Sequence, residues 1–386
     1  MTTTINNKNK KPNVPNLRFP EFQGEWEKMR LDAFTKRVMR KNKSNQSRLP
    51  LTISAQYGLV DQITFFNKVV ASTDLSNYYL LKKGEFAYNK SYSSDYPWGA
   101  IKRLDNYDQG ALSSLYICFA PQDNVVSDFI LQYFESPKWH KGISEIAVEG
   151  ARNHGLLNVA VQDFFHTYHY VPKDKKEQIK ISKLLMLLDE RIATQNKIID
   201  KLQTLIKGIR HNIFKDIQGE VLALGNIADV YQPQTISSSD LTTDGYWVYG
   251  ANGIIGKYKE YNHETEQICI TCRGNTCGTV NYTQPKVWIT GNSMVINTDK
   301  HQQQVNKRYL FHYLSSYNFN SIVSGSGQPQ IVRTPLERIK IALPSIEKQV
   351  QIAHGIDLIF MKIVTEYSML ALLENQKQYL LRQMFI

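Results

Sequence analysis

The sequence predicts an α+β protein in which two globular domains with pseudo-two-fold symmetry are separated and joined by two long antiparallel coiled-coil helices. The first observation is a repeat: strand-like sequence runs into Pro172 and a charged helical stretch at residues 178–214, and again into Pro344 and a helical stretch at 349–385. The second is that the two helical stretches have equal length. The third is a sustained apolar periodicity in both. An internal repeat that preserves length and periodicity indicates two similar structural modules.

The chain of 386 residues is long enough for two or three domains, each with a core of its own. From the repeat we predict a first domain at residues 1–174 and a first helix at 175–217. The second domain is then predicted at 218–344 and the second helix at 345–386. Each half of the chain thus contributes one domain and one helix.

The formal net charge is +11, and residues 1–50 contain 12 Lys and Arg against 4 Asp and Glu. A basic excess of this size, with 11% aromatic residues, fits attraction to a polyanion such as nucleic acid. No apolar run approaches the length of a membrane span, and residues 1–11 are polar rather than signal-like. We therefore expect a cytoplasmic protein without a membrane partner.

Three of the four cysteines, Cys269, Cys272 and Cys277, lie close together in the sequence, so a zinc site has to be considered. A strand would point Cys269 and Cys272 to opposite faces, and His263 is the only obvious nearby fourth ligand. The matching stretch of the first domain has no cysteine. We expect buried, reduced thiols and no metal.

Apolar residues recur at alternating spacings of four and three in both helical stretches, and we refer to each series as a seam. The first seam contains Ile181, Leu185, Leu188, Ile192, Gln195, Ile199, Leu202, Ile206, Ile209 and Ile213. The second contains Ile352, Ile356, Ile359, Ile363, Glu366, Leu370, Leu373, Lys377, Leu380 and Met384. A 3.5-residue period kept over about five heptads is typical of a supercoiled helix pair. Two amphipathic helices, each packed on its own domain, are the alternative.

Both seams contain a polar residue close to the middle of the helix, Gln195 in the first and Glu366 in the second. Antiparallel pairing would bring these two side chains together, so that the amide could donate to the carboxylate. One polar layer would then fix the register of the pair. A helix of this length spans about 54 Å, more than one turn of DNA.

The two domains show similar signals in the same order. Leading strands are predicted at 26–31 and 220–224, further strands at 110–119 and 290–297, and helical stretches at 127–134 and 306–314. A glycine-rich turn follows in each, at 149–154 and 324–330. Mixed strands with long polar loops argue for an α+β domain whose loops carry the function.

These loops contain the residue types that read base edges, because Arg or Lys can pair with guanine and Asn or Gln with adenine. The candidates in the first domain are Lys90, Arg152, Asn153 and His154, with Tyr92 for stacking or phosphate contact. Those in the second domain are Arg273, Asn275, Gln328 and Gln330, with Tyr249 in the role of Tyr92. For each residue, a solvated loop position is the alternative.

The arrangement resembles the specificity subunits of type I restriction-modification systems over essentially the whole chain. The residues that carry the resemblance are Leu17-Arg-Phe-Pro-Glu-Phe22, Val171-Pro172 through Glu177-Gln178-Ile179, Gly325-Ser-Gly-Gln-Pro-Gln-Ile331, and Ile341-Ala-Leu-Pro344 through Glu347-Lys-Gln349. No single motif is specific, but their order and double occurrence are. The first helix departs from the family pattern, since one extra residue separates Pro172 from Gln178.

The resemblance implies two target-recognition domains, each reading one half of a split, asymmetric site in double-stranded DNA. It implies that the helices set the spacer between the half-sites and recruit two methyltransferase subunits, to which restriction translocase subunits can add. It also implies a non-catalytic subunit without a cofactor of its own.

A self-contained DNA-modifying enzyme is the main rival class. An adenine methyltransferase would need an Asn/Asp-Pro-Pro-aromatic motif, and the chain has no Pro-Pro; its one Gly-x-Gly, at Gly325 and Gly327, is not followed by a helical pattern. A metal nuclease would need converging carboxylates and a lysine, and no such cluster stands out. A coiled-coil scaffold without a DNA role would explain the helices but not the basic, loop-rich domains.

Overall fold

The computed structural model describes residues 12–68, 71–147, 155–251, 253–325 and 327–386. The described chain forms two compact units, one containing the residues up to Thr194 together with Leu370–Ile386, the other Gln195–Met369. Each unit therefore includes part of both long helices, whereas the sequence-based division treats the helices as separate segments.

The described residues of unit 1, the first of these, form ten strands. They are β1 (Glu27–Arg30), β2 (Thr35–Arg37), β3 (Pro50–Ser54), β4 (Gly58–Asp61), β5 (Tyr79–Lys82), β6 (Phe86–Asn89), β7 (Ala100–Arg103), β8 (Gln109–Leu112), β9 (Ile117–Pro121) and β10 (Tyr168–Val171). They form a pair β1-β10 and two four-stranded sheets with the orders β2-β9-β6-β7 and β4-β3-β8-β5.

Unit 2 contains the remaining nine strands of the described residues. They are β11 (Glu220–Ala223), β12 (Asp229–Tyr231), β13 (Tyr246–Gly250), β14 (Gly253–Tyr258), β15 (Ile268–Thr271), β16 (Val280–Tyr282), β17 (Trp288–Ile289), β18 (Ser293–Asn297) and β19 (Lys340–Leu343). They form a pair β11-β19 and sheets with the orders β12-β18-β15-β16 and β14-β13-β17.

The two units have the same topology. In each, the first strand pairs antiparallel with the last one, and the strand order of the first sheet is the same. In the second sheet of unit 1, β3 of the β3-β4 hairpin pairs in parallel with β8. In that of unit 2, β13 of the β13-β14 hairpin pairs in parallel with β17. Unit 2 lacks a counterpart of β5 among its described strands. The predicted repetition of one α+β module is confirmed.

In the part of the chain that the structure describes there are seven short helices and two long ones. They are α1 (Leu31–Phe34), α2 (Gln62–Phe66), α3 (Ser127–Glu135), α4 (His140–Ile146), α5 (Val161–His166), α6 (Lys175–Lys215), α7 (Lys307–Ser316), α8 (Arg333–Glu337) and α9 (Ile346–Gln383). Helices α3 and α7 occupy matching places, directly after the first sheet of each unit, where the sequence predicts helical stretches. None of the helices in the described part of the chain has the length and apolar character that a membrane crossing requires.

The predicted seam residues of α6 and α9 face the interior of each unit. In unit 1, Ile181 and Leu185 share an apolar cluster with Leu381 and Met384. In unit 2, Ile206 shares one with Ile356 and Ile363. Residue numbers rise along one helix as they fall along the other, so within each unit the two helices run antiparallel. Lys377, a polar seam position, pairs with Asp189 of α6 at 2.5 Å.

The polar layer predicted from the sequence is formed within unit 2. The Gln195 side-chain amide donates to the Glu366 carboxylate, and also to the Glu366 backbone carbonyl at 3.1 Å. Both side chains are buried, with 8% and 9% of their surface exposed. Lys362, one turn earlier in α9, pairs with the same carboxylate and, together with the Gln195 bond, lowers the pKa of Glu366. Neither polar group is therefore left without a partner in the seam.

A buried glutamine near the start of each long helix connects that helix to its module, and we call this set of bonds the glutamine bridge. In unit 1, Gln178 donates to the Pro172 carbonyl at 2.8 Å and accepts from the backbone N–H of Val126, which caps α3, at 2.7 Å. The extra residue between Pro172 and Gln178 does not prevent the bond.

The glutamine bridge of unit 2 has the same pattern. Gln349 donates to the carbonyls of Pro344 and Gln304, at 2.9 and 3.0 Å, and accepts from the backbone N–H of Asn306 at 2.8 Å. Asn306 is the cap residue of α7. In both units the amide thus joins the end of the last strand to the start of the module helix. A buried amide bonded at both ends stabilises one orientation of module and helix.

Candidate nucleic-acid interface

Two loops of unit 2 that are distant in sequence pair with each other beyond the end of β15. The Gly274 N–H donates to the Pro329 carbonyl and the Ile331 N–H to the Cys272 carbonyl, both at 3.0 Å. Arg273 and Gln330 are bridge partners in this short antiparallel pairing. The glycine-rich turn folds back on itself, since Ser324 and Gln330 exchange two backbone hydrogen bonds. The pairing fixes both loops side by side.

Four of the predicted base-reading side chains therefore lie on adjoining loops. Arg273, Asn275, Gln328 and Gln330 are all exposed. Gly325 allows the turn its shape: its φ is +90°, and a Cβ there would lie 2.4 Å from the Gln328 carbonyl oxygen. Guanidinium and amide groups presented together can donate to and accept from base edges.

The first unit shows the same pairing at its corresponding strand end. Beyond β6, the Leu157 N–H donates to the Lys90 carbonyl at 2.9 Å, and the Tyr92 N–H donates to the Gly155 carbonyl at 3.0 Å. Tyr92 is half exposed and Lys90 is partly buried. The candidates Arg152, Asn153 and His154 lie outside the described residues, directly before Gly155.

A third loop adjoins this surface in unit 2, and sequence reasoning missed it. The turn at 290–293 between β17 and β18 contributes the Asn292 carbonyl, which accepts from the Cys272 N–H at 3.0 Å. The tip of the β13–β14 hairpin is also close, since Thr271 Oγ1 donates to the Ala251 carbonyl. The available signal was the short Gly-Asn turn between two apolar strands.

Tyr249 does not fit the predicted contact with DNA. Its ring is 8% exposed and packs in a buried cluster with Val287, Ile289 and Val295. Burial raises the pKa of its hydroxyl, which is hydrogen-bonded to the backbone of Gln284. Tyr249 lies in β13 between two other buried residues, Val248 and Gly250, so its ring cannot stack on a base.

The cysteines occupy separate apolar surroundings. Cys269 lies in the cluster of Tyr249, whereas Cys272 lies in the main cluster of unit 2, on the opposite face of the sheet as the strand periodicity predicts. Burial raises the pKa of both thiols. His263 is hydrogen-bonded through both ring nitrogens, to Tyr231 at 2.8 Å and Asn262 at 2.6 Å. The described residues contain no cluster of three or more His, Cys, Asp or Glu arranged to hold a metal ion.

Both long helices expose apolar residues that are not part of the seams. The exposed residues of α6 are Ile179, Leu184, Leu187, Ile198 and Leu205. Those of α9 are Val350, Leu358, Met361, Val364, Tyr367, Met369, Leu372 and Tyr379. A helix that is apolar on a second face beyond its seam commonly packs against another protein.

The second half of the chain is similar to known proteins. Residues 218–374 match the model of the type I restriction modification DNA specificity domain. A stretch of 147 residues is 30% identical to the type I restriction enzyme EcoprrI specificity subunit of Escherichia coli and covers 37% of this chain and 36% of that relative. The match thus spans about a third of the curated relative's length.

Two solved structures share the fold over nearly the whole chain. The S subunit of a type I restriction-modification system from M. genitalium has a TM-score of 0.62 at 17% identity, covering 97% of this chain and 99% of that one. A structure described as showing complex assembly and conformational transition of the type I R-M system has a TM-score of 0.56 at 14% identity, covering 92% and 96%. At these identities the likeness concerns the fold.

Proposed function

We propose that this chain, whose residues 218–374 match the type I restriction modification DNA specificity domain, is a specificity subunit that recognises a split, asymmetric site in double-stranded DNA. Each module would read one half-site. The observation that carries the proposal is the paired-loop surface, because it occurs at the same strand end of both units and presents Arg273, Asn275 and Gln330 together in the second.

We assign base reading to the exposed side chains of these loops: Lys90, Arg152, Asn153 and His154 in the first module and Arg273, Asn275, Gln328 and Gln330 in the second, with Tyr92 contacting phosphate or a base face. The net charge of +11 supports a salt-sensitive contribution from phosphate contacts. Tyr249 is left out because it is buried.

We assign no catalytic step to the chain itself. Its role would be binding, with methyl transfer and cleavage performed by other subunits. The absence of the sequence pattern expected of an adenine methyltransferase supports this division, as does the specificity-subunit name of the relative.

The partners we propose are two methyltransferase subunits and, through them, restriction translocase subunits. Exposed apolar residues on α6 and α9, such as Leu187 and Leu358, supply surfaces on which helices of another subunit could pack. The solved structure described as showing complex assembly of a type I system supports a multi-subunit setting. Assembly of this kind takes place in the cytoplasm, where we place the protein.

We further propose that residues 1–174 and 218–344 act as the recognition domains and that 175–217 and 345–386 determine the spacer between half-sites. Deleting one heptad from a helix shortens it by about 10 Å and should change the accepted spacer or abolish binding. An unchanged spacer would exclude this role of the helices.

The decisive experiment is to map N6-methyladenine by single-molecule sequencing in cells expressing the chain with and without its co-encoded methyltransferase. The expected result is a split motif, with a fixed gap, that is methylated only when both are present. Methylation by the chain alone would identify an enzyme, and no methylation in either case would favour a scaffold.

A single substitution then tests the assignment of the loops. Arg273→Ala should weaken binding by about 1–3 kcal/mol for the preferred base at one position and relax only that position. Arg338→Ala, an exposed arginine beside β19, is the matched control and should leave the motif unchanged. A uniform loss over all sequences would make Arg273 a phosphate contact.

A further inference from the structure

The turn at 290–293 is held from three sides. Ser293 N–H donates to the Thr290 carbonyl at 3.0 Å, which closes the turn, and Thr290 N–H donates to the Tyr249 carbonyl of β13 at 3.0 Å. The hydroxyl of Ser293 donates to the Gly250 carbonyl at 3.2 Å. Thr290, Gly291 and Ser293 are buried. The backbone around Asn292 is therefore fixed before any ligand arrives.

The two carbonyls at the tip of this turn are also engaged. The Gly291 carbonyl accepts from the Gln232 amide and, at 3.6 Å, from the Cys272 thiol. The Asn292 carbonyl accepts from the Cys272 N–H at 3.0 Å. Because Cys272 directly precedes Arg273, this last bond places the turn beside the paired-loop surface.

Asn292 itself is the exposed residue of an otherwise buried turn. Its side chain is an amide, whose carbonyl oxygen can accept from the adenine N6 amine while its NH2 group donates to adenine N7, the bidentate arrangement that discriminates this base. A side chain carried on a preorganised backbone loses less conformational entropy on binding than one on a free loop.

The corresponding turn of unit 1 carries a different residue at the same position. Tyr116 N–H donates to the Ser113 carbonyl at 3.2 Å, so 113–116 is a turn of the same kind between β8 and β9. Its third residue is Leu115, which is 71% exposed. A leucine cannot pair with a base edge, although it can contact a thymine methyl group. The position is thus exposed in both modules and chemically different, as expected where two modules read different half-sites.

We propose that Asn292 is a specificity-determining residue of the second module and reads an adenine in its half-site. The inference rests on the proposed function, since it names one more residue at the same DNA-reading surface. Asn292 has no left-handed backbone conformation, as the described non-glycine residues with positive φ are Ser44, Asn45, Asn67 and Lys286. Replacing it therefore introduces no backbone strain.

The test is selection from a randomised duplex pool by the full-length chain purified with its methyltransferase subunits. Asn292→Ala should lose about 5- to 150-fold of the preference at one adenine position and keep every other position. Asn292→Asp should move that preference toward cytosine, because a carboxylate accepts from the cytosine N4 amine but cannot donate to adenine N7. Asn226→Ala, an exposed asparagine in the short turn after β11, is the control.

The retained positions show that the variant is folded and still binds DNA. If either Asn292 variant selected the wild-type base at every position, the inference would be overturned while the proposed function stood. If the wild-type complex itself enriched no motif, the proposed function would fail, and the inference with it.

Discussion

The two units connect module to long helix with the same hydrogen bonds but differ at the residue next to the glutamine that makes them. Gln178 and Gln349 each join a prolyl carbonyl to the cap residue of the module helix. Glu177, before the first glutamine, is buried, whereas Lys348, before the second, is exposed. The glutamine bridge is present in both units, but the residue before the glutamine is buried in unit 1 and exposed in unit 2.

The buried Glu177 explains why the N-terminal segment is part of unit 1. Its carboxylate accepts from Arg18 through two hydrogen bonds, at 2.7 and 2.8 Å, and from the Trp26 indole at 3.1 Å. The segment also reaches the end of α9, where Leu17 N–H donates to the Gln383 carbonyl at 3.0 Å. The comparison teaches that the glutamine holds the module, while Glu177 holds an additional segment that unit 2 does not have in its described part.

The largest loss of stability is expected from breaking the ion pair of Arg18 and Glu177 in unit 1, which has no counterpart among the described residues of unit 2. Arg18→Leu leaves the 2%-exposed Glu177 carboxylate without its cation, which should lower the free energy of unfolding by about 3–5 kcal/mol. Urea denaturation followed by tryptophan fluorescence measures it. Lys348→Leu is the matched control, expected within about 0.5 kcal/mol of wild type. A loss as small as the control's would show that the pair does not stabilise unit 1.

The second prediction tests the glutamine bridge, which both units share. Gln178→Met and Gln349→Met keep the side-chain length but leave a buried N–H and a prolyl carbonyl unsatisfied, at an expected cost of about 2–4 kcal/mol each. Hydrogen exchange should accelerate at the start of α3 in the first variant and of α7 in the second. Gln351→Met, exposed on α9, should change neither. Acceleration in the wrong unit would contradict the bridge as a local connection.

The third prediction concerns an ion cluster of unit 2. Burial raises the pKa of Asp357, but bonds from His312 and Arg308 outweigh it and lower that pKa from 3.8 to about 2. Since the folded pKa is below the unfolded one, the carboxylate stabilises the unit above about pH 4 and loses this contribution as the pH falls toward 2. Asp357→Asn should cost about 1–2 kcal/mol at pH 7, allowing for partial exposure.

The check is the difference in unfolding free energy between Asp357→Asn and wild type, measured from pH 7 to pH 2. It should narrow between about pH 5 and pH 2. A difference that stayed constant over that range would mean that the asparagine acts through packing and not through the lost charge.

The smallest effect is expected at the polar layer. Gln195→Leu should cost about 1 kcal/mol, because Glu366 keeps its pair with Lys362 and loses one amide donor. Replacing both Gln195 and Glu366 by leucine should restore or raise stability but relax the helix register. Cysteine cross-linking between α6 and α9 measures the register. A single unchanged cross-link pattern in the double variant would show that the layer does not set it.

The two long helices and their polar layer were predictable, because the seam residues recur at regular spacings in the sequence. The seam residues and the Gln195–Glu366 pair are where the spacing places them. The repeated order of strands and helices was predicted from the same signals in both halves, a glycine-rich turn and a proline before the long helix. These are properties that local sequence determines directly.

The candidate site was only partly predictable, because loop pairing depends on tertiary contacts. The glycine-rich turn and the Arg273 loop were singled out, but not that they hydrogen-bond to each other. Tyr249 looked like a loop aromatic because its burial at the end of β13 depends on a tertiary cluster that leaves no local sequence signal. Asn292 was missed because Gly and Asn between two strands first of all indicate a turn, which hides any further role of the asparagine side chain.

The glutamine bridge binds backbone atoms of the module rather than its side chains: a prolyl carbonyl on one side and a cap residue's N–H on the other. Such partners exist in any module that ends its last strand with proline and starts its helix at that point. Exchange of a whole module, with junctions inside the two long helices, would therefore preserve the attachment while replacing the loops. One exchange would then replace all the loops of a module and keep its connection to the long helix.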